Sequence, residues 1–329
     1  MQKWTSRRVF TVEERLKKIN FPDQSNSDTQ PVEITFTVPK TVYMSQDTSS
    51  VDIKIWDKVN KCWSGDAIGG DLVYVKKERQ IKFNSNAFAP MCMVQSRCTD
   101  YPYQNWWLRC VEEEKAILTV WTKRLKLTFE ITPLCLKFVE TNLDTPELDH
   151  LKRKNMTPGY LLHELSKCGI HLMPRDEDAQ LGGIEKKDRN AEERAIIDVA
   201  CSVRAFHYRR CKWNQGETEN PGVGADTIVL RIRENIEYEE EFAEDYEPDW
   251  RQVMWWSNKV SYVEGTKETD KKCTVRLAEG HVTHSILHQS LVPGMCSDAA
   301  RARVTAYHGI EFIDTVKKTL RLTRLHAFS

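Results

Sequence analysis

His281, His284 and His288 are the residues whose type and spacing come nearest to a chemical site in this chain. On a helix, steps of three and four place the imidazoles along one face, where they can hold zinc. A hydrolytic zinc helix also needs a glutamate base beside its first histidine, and this run has none. Ile286, Leu287 and Leu291 flank the histidines and predict the polar edge of an amphipathic helix, so no metal is expected. The glycine clusters at 65–71 and 220–226 lack both the Lys-Ser/Thr of a P-loop and the G-x-G-x-x-G of a dinucleotide turn. Each is predicted to be a turn ahead of a strand. No serine sits in a G-x-S-x-G elbow, and no cysteine lies in a motif that would activate its thiol. The chain is therefore expected to be no enzyme, with no catalytic residue and no cofactor.

Two aromatic clusters suggest contact chemistry instead. Tyr101, Tyr103, Trp106 and Trp107 fall within seven residues, and Trp250, Trp255 and Trp256 form a second group. On a strand, adjacent tryptophans point to opposite faces, so one of each pair can fill a core while its neighbour meets solvent or a partner. The run Glu234 to Asp249 holds nine acidic residues and no Lys or Arg. It reads as a solvated loop or as a dock for a basic partner. Lys317, Lys318, Arg321 and Arg324 gather at the end of the last helical stretch, suiting both the helix dipole and an acidic filament such as tubulin.

The elements that carry these residues follow from periodicity. Residues 11–19 are predicted to form a short charged helix, which a polar break at 22–30 separates from the rest. Apolar and polar residues alternate over 32–38, 51–55, 71–75, 80–83, 115–120 and 125–131, with turn residues between, which predicts an antiparallel β-sandwich over 31–145. From 146 to 329 the texture is mixed α+β. Thr157-Pro158 starts a helix that Gly169 stops. Asn190 with Glu193 has capping-box spacing ahead of a helix whose buried face is Ile196, Val199, Ala200, Val203 and Phe206. Strands are predicted at 227–233, 253–263 and 273–277, and helix from Ser297 onward with Ile313, Val316 and Leu320 on one side. The fold class expected is α+β in two domains, 31–145 and 146–329, after a helix or linker at 1–30.

Composition bounds the function. Among 329 residues, 48 Lys+Arg balance 48 Asp+Glu, so the formal charge is zero. Such a chain lacks the cationic excess that coats nucleic acid or anionic lipid, and neither nucleic acid nor membrane is an expected partner. Ten cysteines without a C-x-x-C pair, and an opening stretch without an apolar run, predict reduced thiols in the cytoplasm.

The string NAFAPMCMVQSRCTDYPYQNWWLR followed by KAILTV, then MTP at 156–158, Gly169-Ile170 and Lys212-Trp213-Asn214, comes in a distinctive order. VLRIREN, PDWRQVMW and a final RLTRLHAFS complete it. In these motifs, from about Asp71 to Ser329, the chain resembles the C-terminal half of the cancer susceptibility candidate 1 family, also called axonemal dynein intermediate chain 7. The resemblance implies a non-catalytic structural or regulatory subunit of an inner dynein arm in motile cilia and flagella, located in the cytoplasm, cytoskeleton and ciliary axoneme. It implies axonemal dynein heavy and intermediate chains and tubulin as partners. Family members carry a longer charged helical region ahead of the β domain than the thirty residues here. The alternative is a cytosolic adaptor without a ciliary role. No binding residue is transferred by the resemblance, and the two aromatic clusters with the basic helix end are the expected contact surfaces.

Overall fold

The computed structural model describes residues 30–45, 51–215, 223–235, 250–264, 276–277, 280, 282–306 and 309–329. The charged stretch at 11–19, the acidic run beyond Asn235, and His281 lie outside them.

The alternating segments form strands, because alternation places every second side chain on one face. The chain divides into two units, one comprising 1–39 with 46–95, the other 40–45 with 96–329. The smaller unit carries β1 (Val32–Thr37), β2 (Val51–Asp57), β3 (Cys62–Ser64), β4 (Ile68–Val75), β5 (Gln80–Ser85) and β6 (Met91–Gln95). They form two three-stranded antiparallel sheets in the orders β1-β5-β4 and β3-β2-β6. Ile53 and Ile55 are the buried positions of β2, and Ile81, Phe83 and Ser85 those of β5. The glycine cluster turns into β4, where Gly70 takes a left-handed φ of +74° at a register shift.

Among the described residues, the larger unit is built on a nine-stranded antiparallel sheet. Its strands are β7 (Asn105–Glu112), β8 (Lys115–Trp121), β9 (Lys126–Thr132), β10 (Cys135–Thr141), β11 (Phe206–Arg210), β12 (Thr227–Glu234), β13 (Arg251–Trp256), β14 (Lys259–Glu264) and β15 (Arg276–Leu277). Their order is β10-β9-β8-β7-β11-β12-β13-β14-β15. The expected boundary at 145 thus falls inside one sheet: β7 to β10 precede it, and β7 pairs with β11, where Leu108 opposes Tyr208. Local alternation marks β8 and β9 as strands, whereas β7 and β10 lie outside the segments it predicts, and it carries no information about which distant edge a strand joins.

Helices α1 (Pro158–Lys167), α2 (Asp176–Gly182), α3 (Arg189–Ser202), α4 (Ile286–Leu291), α5 (Asp298–Thr305) and α6 (Ile310–Thr323) belong to this unit. α1 starts at Thr157-Pro158 as predicted, and Gly169, at φ +83°, follows its cap residue Cys168. Asp188, not Asn190, caps α3: its Oδ1 accepts from the N–H groups of Asn190 and Ala191 at 2.9 and 3.0 Å. Ile196, Val199, Ala200 and Val203 are buried as expected, whereas Phe206 has left the helix and opens β11. The segment 253–263 is a hairpin rather than one strand, turning at Ser257-Asn258.

α6 packs against α1 and α3 and reaches β9 and β10, while α3 covers β12 and β13. Together they bury Trp106, Leu108, Leu118, Phe129, Phe138, Tyr208, Leu230 and Trp255 on one face of the sheet in a single core. Thr315, Thr319 and Thr323 are buried on α6 because each hydroxyl donates to the carbonyl four residues back. Among the described residues, no helix is long and apolar enough to cross a membrane.

Candidate functional site

Strand β7 and the loop before it place the first aromatic cluster. Tyr101, Tyr103 and Trp106 are fully buried. Trp106 stacks edge-on against His326 at 5.4 Å, and its Nε1 donates to Ser329 Oγ at 2.9 Å. The Tyr103 hydroxyl donates to the Thr323 carbonyl at 3.0 Å, and Tyr101 meets Phe328 at 5.5 Å. Trp107 points to the opposite face, as alternation requires, yet is also buried, edge-on to Trp121 at 4.9 Å with Lys126 Nζ near both rings. Tyr101, Tyr103 and Trp106 seat residues 323–329 and have no exposed surface, while Trp107 keeps 8%. The expectation of a partner surface there gives way to core packing.

The second cluster divides. Trp255 is buried and donates from Nε1 to Asp198 Oδ2 at 2.8 Å. Trp256 is half-buried against the small apolar group of Cys211, Trp213, Val229, Met254 and Val263 on the other face. Trp250 is buried among arginines: the guanidinium carbons of Arg209, Arg231 and Arg233 lie 4.7, 5.8 and 6.0 Å from its ring centroid. Arg209 opposes Arg231 across β11 and β12, and His207 opposes Arg233. Burial, then the charges of Arg233, Arg109 and Arg303, push His207 down to about 3, so the imidazole is neutral. Sequence reasoning missed this cationic face. Its signal was the alternation of arginine with aliphatic residues in 229–233, which ordinarily marks a solvated face rather than a buried one.

The basic end of the last helix is matched within the chain. Lys318 pairs with Asp314 at 2.6 Å and Lys317 approaches the same carboxylate at 3.5 Å. Arg321 forms a bidentate pair with Glu193. Arg324 is buried, donating to Glu192 and, through Nη1, to Asp176 at 2.6 Å. Among the four, Lys318 and Arg321 keep the largest solvent exposure.

His284 precedes α4 instead of riding on it, its Nδ1 3.3 Å from the Asn258 carbonyl. Ser285 caps the helix, its Oγ accepting from the His288 N–H and lying 3.0 Å from His288 Nδ1. Among the described residues, no three His, Cys, Asp or Glu side chains gather as metal ligands. No disulfide joins two of the described cysteines. Burial pushes Cys110 up to about 12 and Cys168 up to about 11, which keeps both as poorly nucleophilic thiols at neutral pH.

No protein-family model matches the chain. It is similar along nearly its whole length to bovine (Bos taurus) dynein axonemal intermediate chain 7, 26% identical over 98% of this chain and 44% of that protein. The human protein of the same name is 26% identical over 98% of this chain and 43% of its own length. A homologue of that protein in Ciona intestinalis is 22% identical over 78% of this chain and 34% of its length. The resemblance seen in the order of the motifs is thereby borne out, and the chain spans less than half the length of these curated relatives.

Proposed function

We propose that the chain is a non-catalytic, structural or regulatory part of an inner-arm axonemal dynein in motile cilia and flagella, in contact with dynein heavy and intermediate chains and with tubulin. The observation that carries this reading is the alignment over 98% of the chain with proteins named dynein axonemal intermediate chain 7. Two physical features support it. The balanced charge suits specific protein contacts better than polyanion coating. The buried histidines, raised thiols and matched cations leave the aromatic and basic clusters to hold the fold, so contacts fall to exposed side chains such as Lys318 and the rim of Trp256. The chain then works by presenting surface, with its location in the ciliary axoneme and cytoskeleton.

High-salt extraction of demembranated cilia, followed by sedimentation with antibody detection, tests this. Co-extraction and co-sedimentation with one inner-arm heavy chain is the expected result. Recovery only from soluble cytoplasm would overturn it and favour a cytosolic adaptor. Pelleting of the purified chain with microtubules tests the tubulin contact separately.

A further inference from the structure

A pocket of about 250 Å3 opens in the larger unit where α3, the β13–β14 hairpin and the segment leading into α4 converge. Drug-sized sites begin at roughly 300 Å3, so this volume suits one large side chain. Asp198 lines it and is only 5% exposed. Its Oδ2 is occupied twice, by Trp255 Nε1 at 2.8 Å and the Ile286 N–H at 2.7 Å. Among the described residues its Oδ1 receives no hydrogen bond, which leaves one acceptor of a buried carboxylate open to a donor. Trp255 and Ile197 supply apolar wall, the latter 44% exposed. Arg194 and Lys259, both exposed, stand at the rim and are paired with no carboxylate among the described residues.

These three features select against simple ligands. A lone carboxylate or phosphate would answer the rim but meet the charge of Asp198. A lysine would answer Asp198 but be repelled by Arg194 and Lys259. A tyrosine flanked by acidic residues answers all three: ring on the apolar wall, hydroxyl as donor, neighbouring carboxylates on the cations. We propose that this pocket binds an acidic segment of a partner protein through one tyrosine, whose hydroxyl donates to Asp198 Oδ1 while flanking carboxylates meet Arg194 and Lys259. The inference does not rest on the axonemal reading, since it uses only the pocket's own groups.

The test uses the full chain and a fluorescein-labelled peptide of one tyrosine between glutamates, followed by fluorescence anisotropy. Saturable binding is expected, weakening as ionic strength rises. Charge reversal by Arg194→Glu with Lys259→Glu should weaken it by about tenfold or more, since like charges then face each other at the rim. Both residues are exposed, so the variant should keep the unfolding midpoint of the parent chain. Exchanging tyrosine for phenylalanine in the peptide should cost about tenfold by itself, the loss of a hydrogen bond to a charged acceptor. The absence of saturable binding, unchanged affinity in the double variant, or equal affinity for the phenylalanine peptide would each overturn the proposal.

Discussion

Arg324 and Glu192 lie 132 residues apart in sequence and meet as a buried ion pair, Nη2 to Oε2 2.6 Å, each side chain 3% exposed. Arg324 does so from a left-handed backbone, φ +50°, a conformation that glycine would adopt without strain. The side chain therefore holds the residue there against its backbone preference. Through this pair the end of α6 is tied to α3, and residues 325–329 are laid over Tyr101 and Trp106.

Breaking the pair should be severe. Glu192→Gln leaves a buried guanidinium short of its counter-charge and is expected to cost about 3–5 kcal/mol in urea unfolding. Arg324→Gly should also destabilise, despite relief of roughly 1 kcal/mol of backbone strain. A variant Glu192→Gln as stable as the parent would show that Asp176 alone suffices.

Asp198 couples stability to pH. Burial is the largest influence and raises its carboxyl to about 6, against the pull of its bonds from Trp255 and Ile286. The folded chain thus holds this proton more tightly than the unfolded chain, whose aspartate titrates near about 3.9. The contribution to stability is full below that value and is lost as pH rises through about 6. Asp198→Asn retains a carbonyl acceptor and removes the titration. Between pH 4 and 7 it should gain about 3 kcal/mol relative to the parent, at about 1.4 kcal/mol per pKa unit. Parallel pH–stability curves for the two proteins would contradict this.

His326 and His207 act at the acid end. Burial holds His326 down to about 3, and burial with the charges of Arg233, Arg109 and Arg303 does the same to His207. Both are neutral in the fold, so the unfolded chain binds more protons below about 6.5. Stability should fall as pH drops from there toward 3, by up to about 1.4 kcal/mol per pH unit for each histidine. His326→Phe keeps a ring against Trp106 and should remove one share of that acid slope in urea unfolding from pH 6.5 to 4. An unaltered slope would sink the assignment.

The two expected contact clusters can be separated from the surface by substitution. Trp106→Ala should cost about 3–5 kcal/mol, as deletion of a fully buried ring does. Lys318→Ala, at an exposed ion pair, should change stability by less than about 0.5 kcal/mol. Thermal unfolding of both variants checks the contrast. Similar midpoints would place Trp106 at the surface after all.

Local chemistry alone determined much of this protein. Alternation in 32–38, 51–55, 115–120 and 125–131 set strands where the chain has them, because period two is a property of the extended backbone itself. Proline at 158 and glycine at 169 set the ends of α1 for the same local reason: a fixed φ and a left-handed cap. The axonemal dynein relationship was equally legible, carried by motif order. Tertiary structure decided what depends on distant partners. Alternation could not say that β7 pairs with β11, so the boundary near 145 dissolved into one sheet. The spacing of Asn190 and Glu193 could not outcompete Asp188, whose side chain lay in reach of two free N–H groups. Nor could residue type say which side of a sheet is covered. Tyr101, Trp106 and Trp250 resemble contact residues in sequence, and Arg209, Arg231 and Arg233 resemble solvated ones. All six are buried, because burial belongs to the packing of whole layers rather than to any side chain's own chemistry.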